Sequence, residues 1–304
     1  MTTSDPVYDE FGMFQENAEE AGIPWRGAPA VVRRTVEVRP GYALSALVWG
    51  DGPPEVVLVH GAGQNAHTWD SVALALDRPL VAVDLPGHGH SARPAEHRVV
   101  DPWAIAGDLD PVVDALAPRA RVVVGMSLGG LATLAWAARH PDPTRRLVIV
   151  DVTPGVDREK TADIAAFLGG PARFDSFDAI LAHTVAFNPT RSRSSLRRGV
   201  LHNAVRQPDG SWTWRHQLGR VPEGDPGPGR RVEVGALWDD VGSTGGPLRL
   251  VRGGRSPVVS DADVAELCRR CPQAVVTVVE DAGHSVQGDQ PVALARIIEE
   301  ELSA

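Results

Sequence analysis

Lysine is nearly missing from this 304-residue chain: Lys160 is the only one, and arginine supplies the rest of the 30 basic residues. We read that skew as genomic base composition, not as a functional signal. Cysteine is almost as scarce, with only Cys268 and Cys271 in a C-x-x-C spacing. No further cysteine and no ligand-spaced histidine lies near them, which argues against a zinc site. Two residues closing a helix beside Arg269 and Arg270 explain the pair better than redox chemistry does. No run approaches the roughly 20 apolar residues of a membrane-spanning helix. Residues 1–20 are acidic and lack the basic and apolar blocks of a secretion signal, so a cytoplasmic location is expected. A net charge of −9 offers nothing to neutralise phosphates, which argues against a nucleic-acid partner.

What is present fits a soluble globular protein: 43% hydrophobic and 23% charged residues. A chain of this length buries roughly three quarters of its unfolded surface, so stability requires neither disulfide nor metal. Short apolar runs alternate with longer helical patterns, the mark of a mostly parallel sheet wrapped by helices. Residues 31–38 and 42–49 read as an opening antiparallel pair around Pro40-Gly41. Runs at 56–59, 80–83, 122–124 and 147–150 are apolar at every position, as strands covered on both faces must be. Asp101-Pro102 starts a helix with apolar residues Ile105, Leu109, Val112 and Leu116, and Pro111 within it predicts a kink or break. From about 153 to 233 the pattern is helical, with no convincing central strand, and it ends in the Pro/Gly-rich stretch 222–229. Strand-like runs resume at 248–251 and 275–279. The expected organisation is an N-terminal extension (1–30), a core (31–152 and 234–304) and a helical cap (153–233).

The sharpest chemical signal is the apolar strand 122–124 running through Gly125-Met126-Ser127-Leu128-Gly129 into a helix. A serine at a tight strand-to-helix turn holds a strained backbone and lifts its hydroxyl clear of the sheet, provided its neighbours are small. The helix N-terminus favours negative charge beside it. Upstream, the strand 56–59 leads into His60-Gly61-Ala62-Gly63. A glycine-flanked loop at a strand end can aim a backbone N–H into a site, so the amides of Ala62 and Leu128 are the candidate oxyanion hole.

These segments, with Asp84-Leu85-Pro86-Gly87-His88-Gly89-His90-Ser91 and Asp281-Ala282-Gly283-His284, resemble the α/β-hydrolase superfamily from about residue 31 to 302, the cap excepted. The resemblance implies an eight-stranded, mostly parallel sheet flanked by helices, a cap inserted after the sixth strand, and a Ser–acid–His triad. Among ten histidines, His284 lies on a glycine-containing loop past the last strand and is the candidate base. His60, His88 and His90 resemble scaffold positions, Asp84 reads as structural, and His183, His202 and His216 in the cap read as surface residues or as substrate contacts. The acid departs from the usual pattern. Members place it just after the seventh strand, here 248–251, yet residues 241–260 contain no Asp or Glu and Arg255-Ser256-Pro257 occupies the spot. Asp151, ending the sixth strand, is preferred; Asp261 and Asp263 stay open, although helix N-capping accounts for them.

The reading is a serine hydrolase that cleaves a carboxylic ester or lactone through an acyl-enzyme. Ser127, His284 and Asp151 are its triad, and no cofactor or metal is expected. Met126 and Leu128 are expected on the floor of the pocket. Trp212 and Trp214, alternating in an extended piece, are candidate contacts for an apolar or ring-bearing small-molecule substrate. A C–C bond hydrolase of diketone-like ring-cleavage products and a non-catalytic ligand-binding protein on the same fold are the alternatives.

Overall fold

The computed structural model describes residues 6–94, 101–189, 191–216, 218 and 233–304; the stretch 222–229 lies outside them. The strands are β1 (Val31–Arg39), β2 (Tyr42–Trp49), β3 (Val56–Val59), β4 (Leu80–Val83), β5 (Val122–Met126) and β6 (Arg146–Val150). Three short ones follow, β7 (Arg173–Phe174), β8 (Ala204–Arg206) and β9 (Trp212–Trp214), and then β10 (Leu248–Gly253) and β11 (Val275–Val279). The helices are α1 (Phe14–Glu20), α2 (Asp70–Leu76), α3 (Pro102–Leu116), α4 (Leu128–Arg139), α5 (Ala162–Leu168) and α6 (Phe177–Phe187). They continue with α7 (Arg193–Asn203), α8 (Trp238–Val241), α9 (Asp261–Arg270), α10 (Val286–Asp289) and α11 (Pro291–Ser303).

Eight strands form one sheet in the order β1-β2-β4-β3-β5-β6-β10-β11, antiparallel at β1/β2 and β2/β4 and parallel beyond. The all-apolar strands show why both faces are covered. Val57, Val59, Val123, Leu147 and Ile149 point into one core with α3, α4 and α9. Their alternates Val56, Leu58, Val122, Val124 and Val148 point into the other, with α2 and α11. The N-terminal segment does not stand apart, because Phe14 of α1 is buried in that second core beside Trp49, ring centroids 4.9 Å apart.

Three expectations change. Helix α3 runs unbroken through Pro111, because Ile105, Leu109 and Val112 on its buried face hold it to the sheet despite the missing hydrogen bond. Between β6 and β10 the chain forms α5, α6 and α7 but also the antiparallel sheet β7-β9-β8, too short to be read from periodicity. His202 and His216 in that segment are buried, not at the surface. The two cysteines are free, Cys271 buried at the end of α9.

The turn from β5 into α4 dictates the sheet's working edge. A side chain at Gly129 would come within 2.5 Å of the Val59 carbonyl oxygen and collide with that of His60. One at Gly125 would meet the Gly129 carbonyl oxygen and Thr133 Oγ1, both at 2.5 Å. These neighbours are chiefly backbone and have nowhere to move. Gly129→Ala is therefore expected to lower stability by about 3 kcal/mol in urea unfolding. Gly199→Ala, in the exposed face of α7 where nothing lies within 4 Å, is expected to raise it by about 0.5–1 kcal/mol.

A buried ionic cluster ties the N-terminal segment to the core. His67 Nδ1 faces Asp70 Oδ2 at 3.0 Å and its Nε2 faces Glu10 Oε1 at 3.2 Å, while Arg33 pairs with Glu10 and with Asp84. Burial alone pushes the His67 imidazole down, but the Asp70 charge and the bonds to Asp70 and Glu10 outweigh it and raise the group to about 9. Burial likewise pushes Glu10 up, and its bonds to His67 and Arg33 reverse that, to about 2. A base raised in the folded state contributes stability that is complete below its unfolded value of about 6.5 and lost as pH rises through about 9. The melting temperature is expected to fall across that window, and His67→Gln is expected to remove the step; an unaltered melting temperature from pH 7 to about 10 in the parent contradicts it.

Candidate active site

Parallel pairing of β5 with β6 sets Met126 opposite Val150, so Ser127 and Asp151 leave the same edge of the sheet side by side. Both take left-handed backbone, Ser127 at φ 52° and Asp151 at φ 49°; Asp77 is the third non-glycine residue with positive φ among those described. β6 pairs in turn with β10, and the Asp151 N–H donates to the Val251 carbonyl at 2.8 Å. The loop after β11, next in the sheet, brings His284 over this edge.

The three side chains form one hydrogen-bonded line. Ser127 Oγ lies 3.1 Å from His284 Nε2, and His284 Nδ1 lies 2.8 Å from Asp151 Oδ2. An ionised carboxylate only accepts, so Nδ1 carries the proton and Nε2 is free to accept from the hydroxyl. Asp151 is fully buried. Its other oxygen, Oδ1, accepts the Gly253 N–H at 2.9 Å, and Oδ2 also accepts the Ser256 hydroxyl. Asp261 and Asp263 are elsewhere: Asp261 is exposed and pairs with Arg252, and Asp263 closes a capping box with Ser260 at the start of α9 and binds Lys160.

The loop 60–63 is held by its neighbours. His60 Nδ1–H donates to the Gly61 carbonyl and its Nε2 accepts the Leu85 N–H at 3.0 Å. His88 Nδ1–H donates to the Pro86 carbonyl and its Nε2 accepts the Gly63 N–H at 3.0 Å. Burial pushes His60 down to about 4 and His88 well below the usual range, so both act as neutral struts. Asp84, accepting from the Ala66 and His90 amides and from Arg33, is structural as its sequence context suggested. With the Gly63 N–H held by His88 and the Gly61 N–H held by Gln64 Oε1 at 3.1 Å, Ala62 sits between two fixed amides on the cavity wall. The Leu128 N–H opens α4, where the first amides have no intrahelical partner.

A cavity of about 350 Å³ opens above Ser127 and His284. Met126 lines it, whereas the Leu128 side chain turns into the core. Phe167, Phe187 and Trp214 form its aromatic side, with Phe167 stacked on Phe187 at 4.4 Å and edge-on to Trp214 at 5.9 Å. Trp212 is not there: it packs on Phe177 at 5.1 Å in the core that the inserted segment shares with Met13. The two tryptophans sit about 7 Å apart along an extended strand, enough to put one in the core and the other at the cavity.

Sequence reasoning missed Gln64, which links the loop amide to Ser285 and Gln287 beside the histidine, and the polar cavity wall at Asn17 and Arg191. No motif marks them. One cluster has metal-ligand character among the described residues, His67, Asp70 and His202, with ligand atoms within 4.8 Å of one another. Its two imidazoles stack face to face at 3.7 Å and 12°, and both ring nitrogens of His67 are already engaged by Asp70 and Glu10. Among the described residues no helix is long and apolar enough to cross a membrane.

The chain is 47% identical over 297 residues to an esterase of Mycobacterium tuberculosis, Rv0045c, covering 95% of this chain and 94% of that one. A solved structure of that esterase superposes with a TM-score of 0.85 at 44% identity, covering 98% of this chain and all of the other. A 3-hydroxybutyrate-oligomer hydrolase of Cupriavidus necator is 29% identical over 261 residues, 81% of this chain and 88% of that protein. The sequence pattern of the alpha/beta hydrolase family matches residues 56–297, and the protein belongs to that family.

Proposed function

We propose that this protein is a serine hydrolase that cleaves a carboxylic ester or lactone through an acyl-enzyme on Ser127. The observation that carries the reading is the unbroken line from Ser127 Oγ through His284 to Asp151 at 3.1 and 2.8 Å, opening on a cavity. The esterase activity of the 47% identical relative supports it.

In this reading Ser127 Oγ attacks the ester carbonyl carbon while His284 Nε2 takes its proton. The carbonyl oxygen becomes an oxyanion and accepts from the Ala62 and Leu128 amides. The intermediate collapses, the C–O bond to the alcohol breaks, and His284 returns the proton to the leaving oxygen. Water, deprotonated by His284, repeats the sequence on the acyl-enzyme and frees the acid and Ser127. Asp151 holds the imidazole with Nδ1 protonated and stabilises the cation that forms. The reaction calls on no cofactor. Phe167, Phe187 and Trp214 offer flat apolar surface to an acyl chain or ring, beside Met126. We place the enzyme's action on small molecules, a reading supported by the size of the cavity above Ser127 and His284, about 350 Å³.

Steady-state hydrolysis of p-nitrophenyl esters against a dienoic diketone tests the reaction class. Turnover of the esters is expected; turnover of the diketone alone favours C–C cleavage, and turnover of neither favours a binding protein. Asp151→Asn is expected to lower kcat by about 10³–10⁴ with the fold intact, and Asp261→Asn and Asp263→Asn to leave it within about twofold. The reverse pattern contradicts the assignment of the acid.

A further inference from the structure

The carboxylate oxygen of Asp151 that receives His284 Nδ1 is shared. Ser256 donates its hydroxyl to the same Oδ2, and Ser256 Oγ in turn accepts the Val258 N–H at 3.2 Å. That second bond occupies a lone pair of the hydroxyl and directs its hydrogen toward the carboxylate. Ser256 is buried, in the turn that leaves β10, where its own N–H donates to the Gly253 carbonyl at 3.1 Å. The Gly253 N–H holds the other carboxylate oxygen. The 253–258 turn therefore grips both oxygens of a residue anchored on a different strand. Ser256 touches neither the nucleophile nor the cavity.

Geometry adds a second point. Ser256 Oγ and His284 Nδ1 bond to one oxygen atom, so they stand no further apart than about two hydrogen-bond lengths. An aspartate at 256 places a carboxylate oxygen about one bond beyond the present hydroxyl, within reach of the same imidazole nitrogen. The backbone of the turn is held by the Gly254 N–H to the Val279 carbonyl and the Arg255 N–H to the Ala282 carbonyl, bonds that do not involve the Ser256 side chain. Two acids there at once would repel, which fits a serine opposite an aspartate.

We propose that Ser256 is a positioning residue, acting through Asp151 to fix the orientation of His284; a carboxylate placed at 256, where the family usually carries its acid, probes that geometry. This rests on the triad reading above. With Ser256→Ala the carboxylate loses one of its three donors and can swing about its Cβ–Cγ bond, so His284 is less often aligned with Ser127. Substrate binding is untouched.

The test is the kinetics of four purified variants with a p-nitrophenyl ester, with melting temperature as a check on folding. Ser256→Ala is expected to lower kcat about tenfold with KM within twofold, and Ser256→Thr, which keeps the hydroxyl, to retain at least half of it. Asp151→Asn is the inactive reference, and Asp151→Asn with Ser256→Asp is expected to recover at least tenfold over it, a gain no structural role of Ser256 predicts. Folded Ser256→Ala with kcat unchanged, or a folded double variant no faster than Asp151→Asn, overturns the proposal. If Ser256→Ala fails to fold, Ser256→Cys, close in size and a weak donor, takes its place and is expected to fall between alanine and threonine. Parent protein that turns over no ester defeats the esterase reading itself and is thus told apart from failure of this inference.

Discussion

A serine held in left-handed backbone between a strand and a helix is the constraint from which the rest of the site follows. Such a conformation costs of order 1–3 kcal/mol and persists only where the surroundings over-determine it. Here they do so by removing side chains. Gly129 lies against the Val59 carbonyl and Gly125 against the Gly129 carbonyl, so α4 descends almost onto the neighbouring strands. The close approach is what leaves Ser127 projecting at the sheet edge with the first amide of the helix beneath it. A larger residue at either glycine pushes the helix away and flattens the bend that aims the hydroxyl.

The parallel register carries this one bend to the neighbouring chain. Because β5 and β6 pair in step, Asp151 emerges next to Ser127 with a left-handed turn of its own. β10, on the far side of β6, contributes Gly253 and Ser256, and the loop after β11 contributes His284. Three strand ends thus meet at one carboxylate, and the fourth, that of β5, reaches it through His284. The departure from the family's usual acid position follows naturally. In the proposed triad the acid lies one strand nearer the nucleophile, and the turn after β10 supplies donors to Asp151 instead of a carboxylate.

Most of the core and all eight strands of the large sheet were legible because their signals are strong: four runs are apolar at every position, and the other four are rich in β-branched or apolar residues. Ser127, His284 and Asp151 were legible for a related reason, since each sits at a strand end or a glycine loop where sequence pattern and chemistry coincide. What escaped depends on contacts between distant segments. Trp212 and Trp214 look alike in sequence, but only packing against Phe177 and Phe167 respectively separates a core ring from a cavity ring. The burial of His202 depends on Tyr8 and on His67, more than 100 positions away in sequence, and no local pattern announces it. Gln64 is an unremarkable polar residue until the histidine loop folds over it.

The central claim is that the oxygen of Ser127 is the nucleophile and that the amides of Ala62 and Leu128 receive the charge that develops. A crystal structure of the protein after reaction with a fluorophosphonate tests both at once. The account predicts phosphorus bonded to Ser127 Oγ, with the phosphoryl oxygen at hydrogen-bond distance from both amides. An adduct on another residue, or one on Ser127 with that oxygen turned away from the two amides, contradicts it.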